Sequence, residues 1–197
     1  MLQDNMYEKI DFDGLKIISA KNFDSVNYFQ RLLRNRIFDM NEKKYRINLD
    51  TYENIKNYNY PVYDNNKFLW DIYFKAIKLC EEVFEGVTIK KPSIFPHYAY
   101  KSNRKVHYEK YHKHEHNCAS IVSVYYHQIE KGDSISFLHN ASGYNYYPEN
   151  DELLLFPSNV YHTPNRPISR FKNRYSINIE IFAEQTTSEL LVNYENF

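Results

Sequence analysis

The chain has 197 residues, with 25 Lys+Arg balanced by 25 Asp+Glu and a formal net charge of zero. That balance excludes a generally basic, nucleic-acid-binding chain. A composition 43% hydrophobic and 17% aromatic excludes a disordered one. The length fits one domain, 1–197, with an N-terminal support region and a distinct C-terminal core.

Two cysteines, Cys80 and Cys118, make no disulfide framework, and a reduced, cytoplasmic protein is the simpler reading. The opening MLQDNMYEKIDFDG has neither the basic nor the apolar part of a secretory signal. No apolar window approaches the roughly 18 residues of a membrane span.

In chain order, residues 9–20 read as a hairpin around Gly14. Asp24 or Ser25 is placed to cap a helix running to Met40, with Tyr28, Leu32, Leu33 and Ile37 at helical spacing. Residues 41–65 are polar, tyrosine-rich and irregular. A second helix is expected over 66–85, closed by Gly86. Its stripe of Phe68, Ile72, Tyr73, Ala76, Cys80 and Val83 is suited to packing on a sheet.

After Gly86 the period changes to two. Strands are expected around 87–102, broken at Pro92 and Pro96, and over 119–129, after the turn at 131–133, over 151–158 and over 174–183. Short strands at close intervals indicate a sandwich, barrel or jelly roll. The expected architecture is α+β: helices in the N-terminal support region, 1–88, packed against one sheet of an all-β core, 89–185.

Six of the eight histidines lie between His97 and His127. In HKHEHNC, His112, His114 and His116 alternate. On extended backbone such residues share a side and can present imidazoles together to a first-row metal. The plain alternative is a solvated polar loop. His162 follows the apolar strand DELLLFPS in a stretch stiffened by Pro157, Pro164 and Pro167, where barrel-mouth sites are built. Alone it reads as an ordinary surface or capping histidine. In RYSINIEI, Tyr175, Ile177, Ile179 and Ile181 share one face, and Arg174, Ser176, Asn178 and Glu180 the other. The polar face is either wet or turned into a barrel around a charged ligand. In the second case Arg174 supplies a fork for a carboxylate and Ser176 one more hydrogen bond.

The ordered set His114-Glu115-His116, Val124-Tyr125-Tyr126, Leu155-Phe156-Pro157-Ser158, His162 and Arg174-Tyr175-Ser176 resembles the non-haem iron, 2-oxoglutarate-dependent oxygenases. It looks most like a group of them carried by phages and marine bacteria, and the likeness covers roughly 95–183. The resemblance implies a double-stranded β-helix (jelly-roll) core and Fe(II) held by His114, His116 and His162. It also implies 2-oxoglutarate as co-substrate, its distal carboxylate on Arg174 and Ser176, and hydroxylation of a small-molecule or peptide substrate. The sequence departs from the family pattern at His116, where a carboxylate is usual. A rival triad is therefore His107, Glu109 and His162. A halogenase would need a small residue where His116 stands. Asn150-Asp151 stands where relatives have Gly, and both residues tolerate turn geometry.

Tyr125, Tyr126, His127 and His139 are candidates for the pocket wall, with aromatic filling of the barrel the plainer role. Cys118 reads as a small buried residue beside the ligands, and RPISRFKNR (166–174) as a solvated loop. Two other readings remain open: a cupin-like three-His metal protein that does not use 2-oxoglutarate, and a non-catalytic viral jelly-roll protein. An outward Arg174 favours the first, and histidines that do not converge favour the second.

Overall fold

The computed structural model describes residues 7–39, 45–47, 67–84, 87–89, 97–102, 120–169 and 172–184. Strands β1 (Glu8–Phe12) and β2 (Leu15–Ala20) form the expected hairpin. Its two-residue turn holds Asp13 and Gly14 at φ 54° and 87°, the left-handed pair whose twist matches that of the strands. The Asp11 carboxylate accepts the Gly14 N–H at 2.7 Å.

Helix α1 (Tyr28–Asp39) starts later than its expected caps. Asn27 caps it: its side-chain oxygen accepts the Gln30 N–H at 3.0 Å, and the Gln30 side chain accepts the Asn27 N–H at 3.1 Å, a capping box built on Asn and Gln. Asp24 is instead engaged by Arg34 and Lys75, and Ser25 sits at φ 50°.

The expected apolar stripe of α1 is not its buried face. Tyr28, Phe29, Leu32 and Leu33 are exposed. The polar side meets the protein: Arg31 Nη1 donates to the His127 carbonyl at 2.9 Å and the Asn35 amide to Gln128 Oε1 at 2.7 Å. Two backbone and side-chain acceptors at the end of a strand thus set the helix's rotation. The Ile37 side chain lies outside the described residues.

Helix α2 (Lys67–Val83) behaves as its period demands. Phe68, Ile72, Tyr73, Ala76, Cys80 and Val83 are all buried. They form one core with Tyr125, Leu153, Leu155, Ile177, Ile179 and Ile181 on the outer face of a sheet.

Among the described residues that sheet has seven antiparallel strands in the order β1-β2-β8-β5-β10-β4-β3. Its other members are β3 (Tyr45–Ile47), β4 (His97–Ser102), β5 (Ile121–Gln128), β8 (Glu152–Pro157) and β10 (Arg174–Ile181). Residues 8–20 and 45–47 therefore extend the C-terminal sheet at both edges, and the N-terminal region is strand as well as helix, not helical support alone. A second sheet, β7-β6-β9, comprises β6 (Ile135–His139), β7 (Ser142–Tyr146) and β9 (Tyr161–Pro164).

The two sheets face one another across a second core that includes Leu15, Ile17, Val122, Val124, Phe137 and Phe156. Glu152 joins them at one end. Its carboxylate, fully buried, accepts from Ser19 Oγ (2.7 Å), the Tyr146 hydroxyl and the Glu149 N–H (2.6 Å). Asp151, at φ 64°, makes the turn into β8 where a glycine was the alternative. Its side chain accepts from Tyr125 Oη (2.8 Å) and from the backbone of Asp24 and Val26 (3.0 and 3.1 Å).

Candidate functional site

Strand parity assigns the site. Tyr175, Ile177, Ile179 and Ile181 of β10 belong to the core under α2. Arg174, Ser176, Asn178 and Glu180 therefore line the interior between the sheets. Arg174, Ser176 and Glu180 are buried and Asn178 half-buried, so the polar face of RYSINIEI is not a wet surface.

Register places each residue beside its neighbours. Ser176 is opposite Tyr126, which is opposite Glu152; Asn178 is opposite Val124 and then Leu154; Glu180 is opposite Val122 and then Phe156. The interior wall thus carries one polar column on β10 beside columns dominated by apolar side chains on β5 and β8.

Arg174 is 4% exposed. Its Nη1 donates to the Asn165 carbonyl at 2.9 Å. Asn165 is itself fixed to β6, donating from Nδ2 to Ser134 Oγ and Ser136 Oγ, both at 2.7 Å. The guanidinium therefore reaches the interior from a braced position. Burial pushes the Tyr126 phenol up, while the nearby Arg174 charge pulls it down.

His162 lies on β9, opposite Phe137 of β6, in a strand and not in a loop following one. It is buried, with its ring 4.7 Å from that of Phe156 in a T-shaped contact. Its Nδ1 is 2.9 Å from the Val160 carbonyl. A ring that donates from Nδ1 to a carbonyl keeps its lone pair on Nε2, the nitrogen then suited to a metal.

His107, Glu109, His112, His114, His116 and Cys118 lie outside the described residues. Among the described residues no three His, Cys, Asp or Glu side chains are grouped to hold a metal. Tyr125 and His127 point away from the interior. Tyr125 packs in the core under α2, and His127 packs against Phe68 with Nε2 3.3 Å from the Arg31 carbonyl. Burial is the main cause that pushes the His127 imidazole down to about 4. Their neighbour Tyr126 is the interior residue. His139 ends β6, half-buried near the Gly14 turn. Of the four pocket-wall candidates, Tyr126 is the one that shares the interior core with Val122 and Val124.

Comparison with solved structures identifies the class of fold. A prolyl hydroxylase from Trichoplax adhaerens, solved with a peptide fragment of the hypoxia inducible factor oxygen degradation domain, matches with a TM-score of 0.56 and 14% identity over 88% of this chain and 86% of that one. A prolyl 4-hydroxylase from Phytophthora capsici matches with a TM-score of 0.57 and 11% identity over 87% of this chain and 60% of that one. IDO from Bacillus thuringiensis matches at 0.50 and 13%, over 86% and 93%. The chain has the fold of the prolyl hydroxylases. No family model and no curated protein matches its sequence. No helix among the described residues is long and apolar enough to cross a membrane.

Proposed function

We propose that this chain is an Fe(II)- and 2-oxoglutarate-dependent dioxygenase, a cytoplasmic hydroxylase whose two facing sheets form a double-stranded β-helix (jelly-roll) core. The observation that carries the reading is Arg174, a buried guanidinium directed between the sheets from the strand that follows an equally interior His162. An outward Arg174 would have left the co-substrate without its anchor.

The residues present fit the implied groups. His162 has the tautomer of a ligand, and Arg174 presents a planar fork suited to a carboxylate. Arg174 would hold the distal carboxylate of 2-oxoglutarate, with Ser176 adding a hydroxyl from the next position on the same face. His114 and His116 would complete the iron site with His162; His107 and Glu109 are the competing pair. Both pairs lie in the segment between Ser102 and Ser120, which enters β5 at the end where β8 leads through Ser158–Val160 into β9. Among the described residues β9 is paired with β6.

Iron(II), when bound, would couple the reduction of dioxygen to the oxidative decarboxylation of 2-oxoglutarate, one oxygen atom going into succinate as carbon dioxide leaves and the other into the hydroxyl group formed on the substrate carbon. The protein's part is to orient the co-substrate through Arg174 and to keep water out with Phe137, Phe156 and Val122. The substrate class is a small molecule or a peptide; the Trichoplax neighbour was solved with a peptide.

The test is anaerobic titration of the purified protein with Fe(II) and then 2-oxoglutarate. The weak visible band of the iron–2-oxoglutarate chelate is expected, and its absence in the unaltered protein refutes the assignment. Replacing His116 and, separately, Glu109 discriminates the two triads, because only loss of the true ligand abolishes iron binding.

A further inference from the structure

The segment that joins β9 to β10 is fastened to β6 where it begins. Asn165 follows Pro164, the last residue of β9. Its N–H donates to the Ser134 carbonyl at 3.0 Å, which carries the β6–β9 pairing one residue past the end of the strand. Its Nδ2 donates to Ser134 Oγ and Ser136 Oγ, both at 2.7 Å, and its carbonyl accepts from Arg174 Nη1 at 2.9 Å. The chain of bonds continues into β7, where Asn145 Oδ1 accepts from Ser136 Oγ at 2.5 Å. Ser136 alternates with Ile135 and Phe137, which belong to the core between the sheets, so its hydroxyl stands on the opposite face of β6. Asn165 thus ties the outer face of the second sheet to a guanidinium in the interior.

From this geometry, and resting on the function proposed above, we infer that Asn165 is a positioning residue for the co-substrate: it fixes the guanidinium of Arg174 at the point where the distal carboxylate of 2-oxoglutarate is held. Arginine has a long side chain that ends in a planar fork, and the fork pairs well with a carboxylate only in one plane. Orienting it before the ligand arrives removes part of the entropy that binding would otherwise cost. The acceptor that orients it is the Asn165 carbonyl. A carbonyl at the start of a loop is free to turn; two side-chain bonds to β6 hold this one still. Those bonds lie on the far side of β6 from the interior wall, so a change there reaches the co-substrate through Arg174. The loop's fold does not depend on Asn165 alone. Asp133, 2% exposed, accepts the Ile168 N–H at 2.9 Å three residues further on.

The probes are 2-oxoglutarate and pyruvate, titrated calorimetrically into protein loaded with Mn(II) in place of iron. Pyruvate keeps the 2-oxo acid end that chelates a metal and lacks the distal carboxylate. Asn165→Ala should weaken 2-oxoglutarate on the order of tenfold and leave pyruvate unchanged. A second variant, Ser134→Ala with Ser136→Ala, keeps Asn165 and removes its two hydroxyl acceptors. It should reproduce the same selective loss, and adding Asn165→Ala to it should cost nothing more, because all three changes remove one brace. Melting midpoints identify which variants are folded, and the serine pair carries the test if Asn165→Ala does not fold. Equal losses for the two probes overturn the inference, since a merely structural residue would disturb the metal end as much as the carboxylate end. Unchanged 2-oxoglutarate affinity in the folded variants overturns it as well, and so do losses that add. An unaltered protein that binds 2-oxoglutarate no better than pyruvate instead removes the dioxygenase reading of Arg174, and the positioning role with it.

Discussion

Replacing Arg174 by Met removes the guanidinium and keeps most of the side chain's length. The residue is 4% exposed, and one of its nitrogens is committed to the Asn165 carbonyl. It lies between the sheets beside columns dominated by apolar side chains, where a carboxylate partner would be shielded from water. Deleting one member of such a desolvated charge pair costs about 2–5 kcal/mol. Ser176 and the chelating end of 2-oxoglutarate still hold on, so the loss should fall near 3 kcal/mol, or roughly 150-fold in affinity.

Metal affinity should change by no more than about threefold, because His162 stands on another strand in the facing sheet. The variant also loses the donor to Asn165, so its thermal midpoint is measured alongside to confirm folding. The assay is titration of 2-oxoglutarate into Mn(II)-loaded protein, with Mn(II) affinity measured separately by electron paramagnetic resonance. Arg174→Lys, which keeps the charge and loses the fork, should fall between the two. A 2-oxoglutarate affinity that drops less than about tenfold, or a metal affinity that falls in step with it, refutes the assigned role.

Three further outcomes follow from the scaffold. Glu152→Gln would turn an amide N–H₂ toward the Glu149 N–H, now 2.6 Å from a carboxylate oxygen. At about 2 kcal/mol for a mismatched buried donor, the midpoint in thermal denaturation should fall by about 4–8 °C; an unchanged midpoint argues against Glu152 as the tie between the sheets. The His127 imidazole is pushed by burial to about 4 from 6.5, so the unfolded chain takes up the proton first. Stability is full above pH 6.5 and falls by on the order of 3 kcal/mol as pH drops to about 4. His127→Asn, which can still donate toward the Arg31 carbonyl, should flatten that slope in urea titrations across the range. Ala141 sits at φ 62° after Asn140 at 47°, so Ala141→Gly should stabilise the β6–β7 hairpin by about 0.5–1 kcal/mol; destabilisation in the same urea titrations would contradict the turn.

That last turn shows why part of the fold was hidden in the sequence. Asn140-Ala141 does the work of Asn-Gly without its signature, so β7 and the second sheet's full extent were not legible. The stripe of α2 and the alternation of β10 were legible, because each rests on one period that the core then rewards. The period of α1 was also visible, but its orientation was not. Periodicity shows that a helix has two faces; only the acceptors on His127 and Gln128 decide that Arg31 and Asn35 turn inward. The cap of α1 was misplaced for a similar reason. Asp24, Ser25 and Asn27 are all good cap residues, and Asp24 is diverted by two cations. The interior placement of Arg174 and Ser176 was available as one of two options, and burial of the strand selects it.

Both interior charges stand on the strand that also carries some of the best-buried apolar residues, and this is physically coherent. Arg174 and Glu180 each disfavour folding by an amount set by how well they are matched. On the opposite face of β10, Tyr175, Ile177, Ile179 and Ile181 are buried under α2, each contributing about 1.5–3 kcal/mol as an upper bound. Because side chains alternate along a strand, the same backbone that fixes the apolar set also fixes the polar one, with no adjustment between them. A one-residue slip of β10 would bury four polar groups under α2 and turn the isoleucines into the interior, so the apolar face enforces the register on which the candidate site depends. The charges are held in place by the apolar half of the strand.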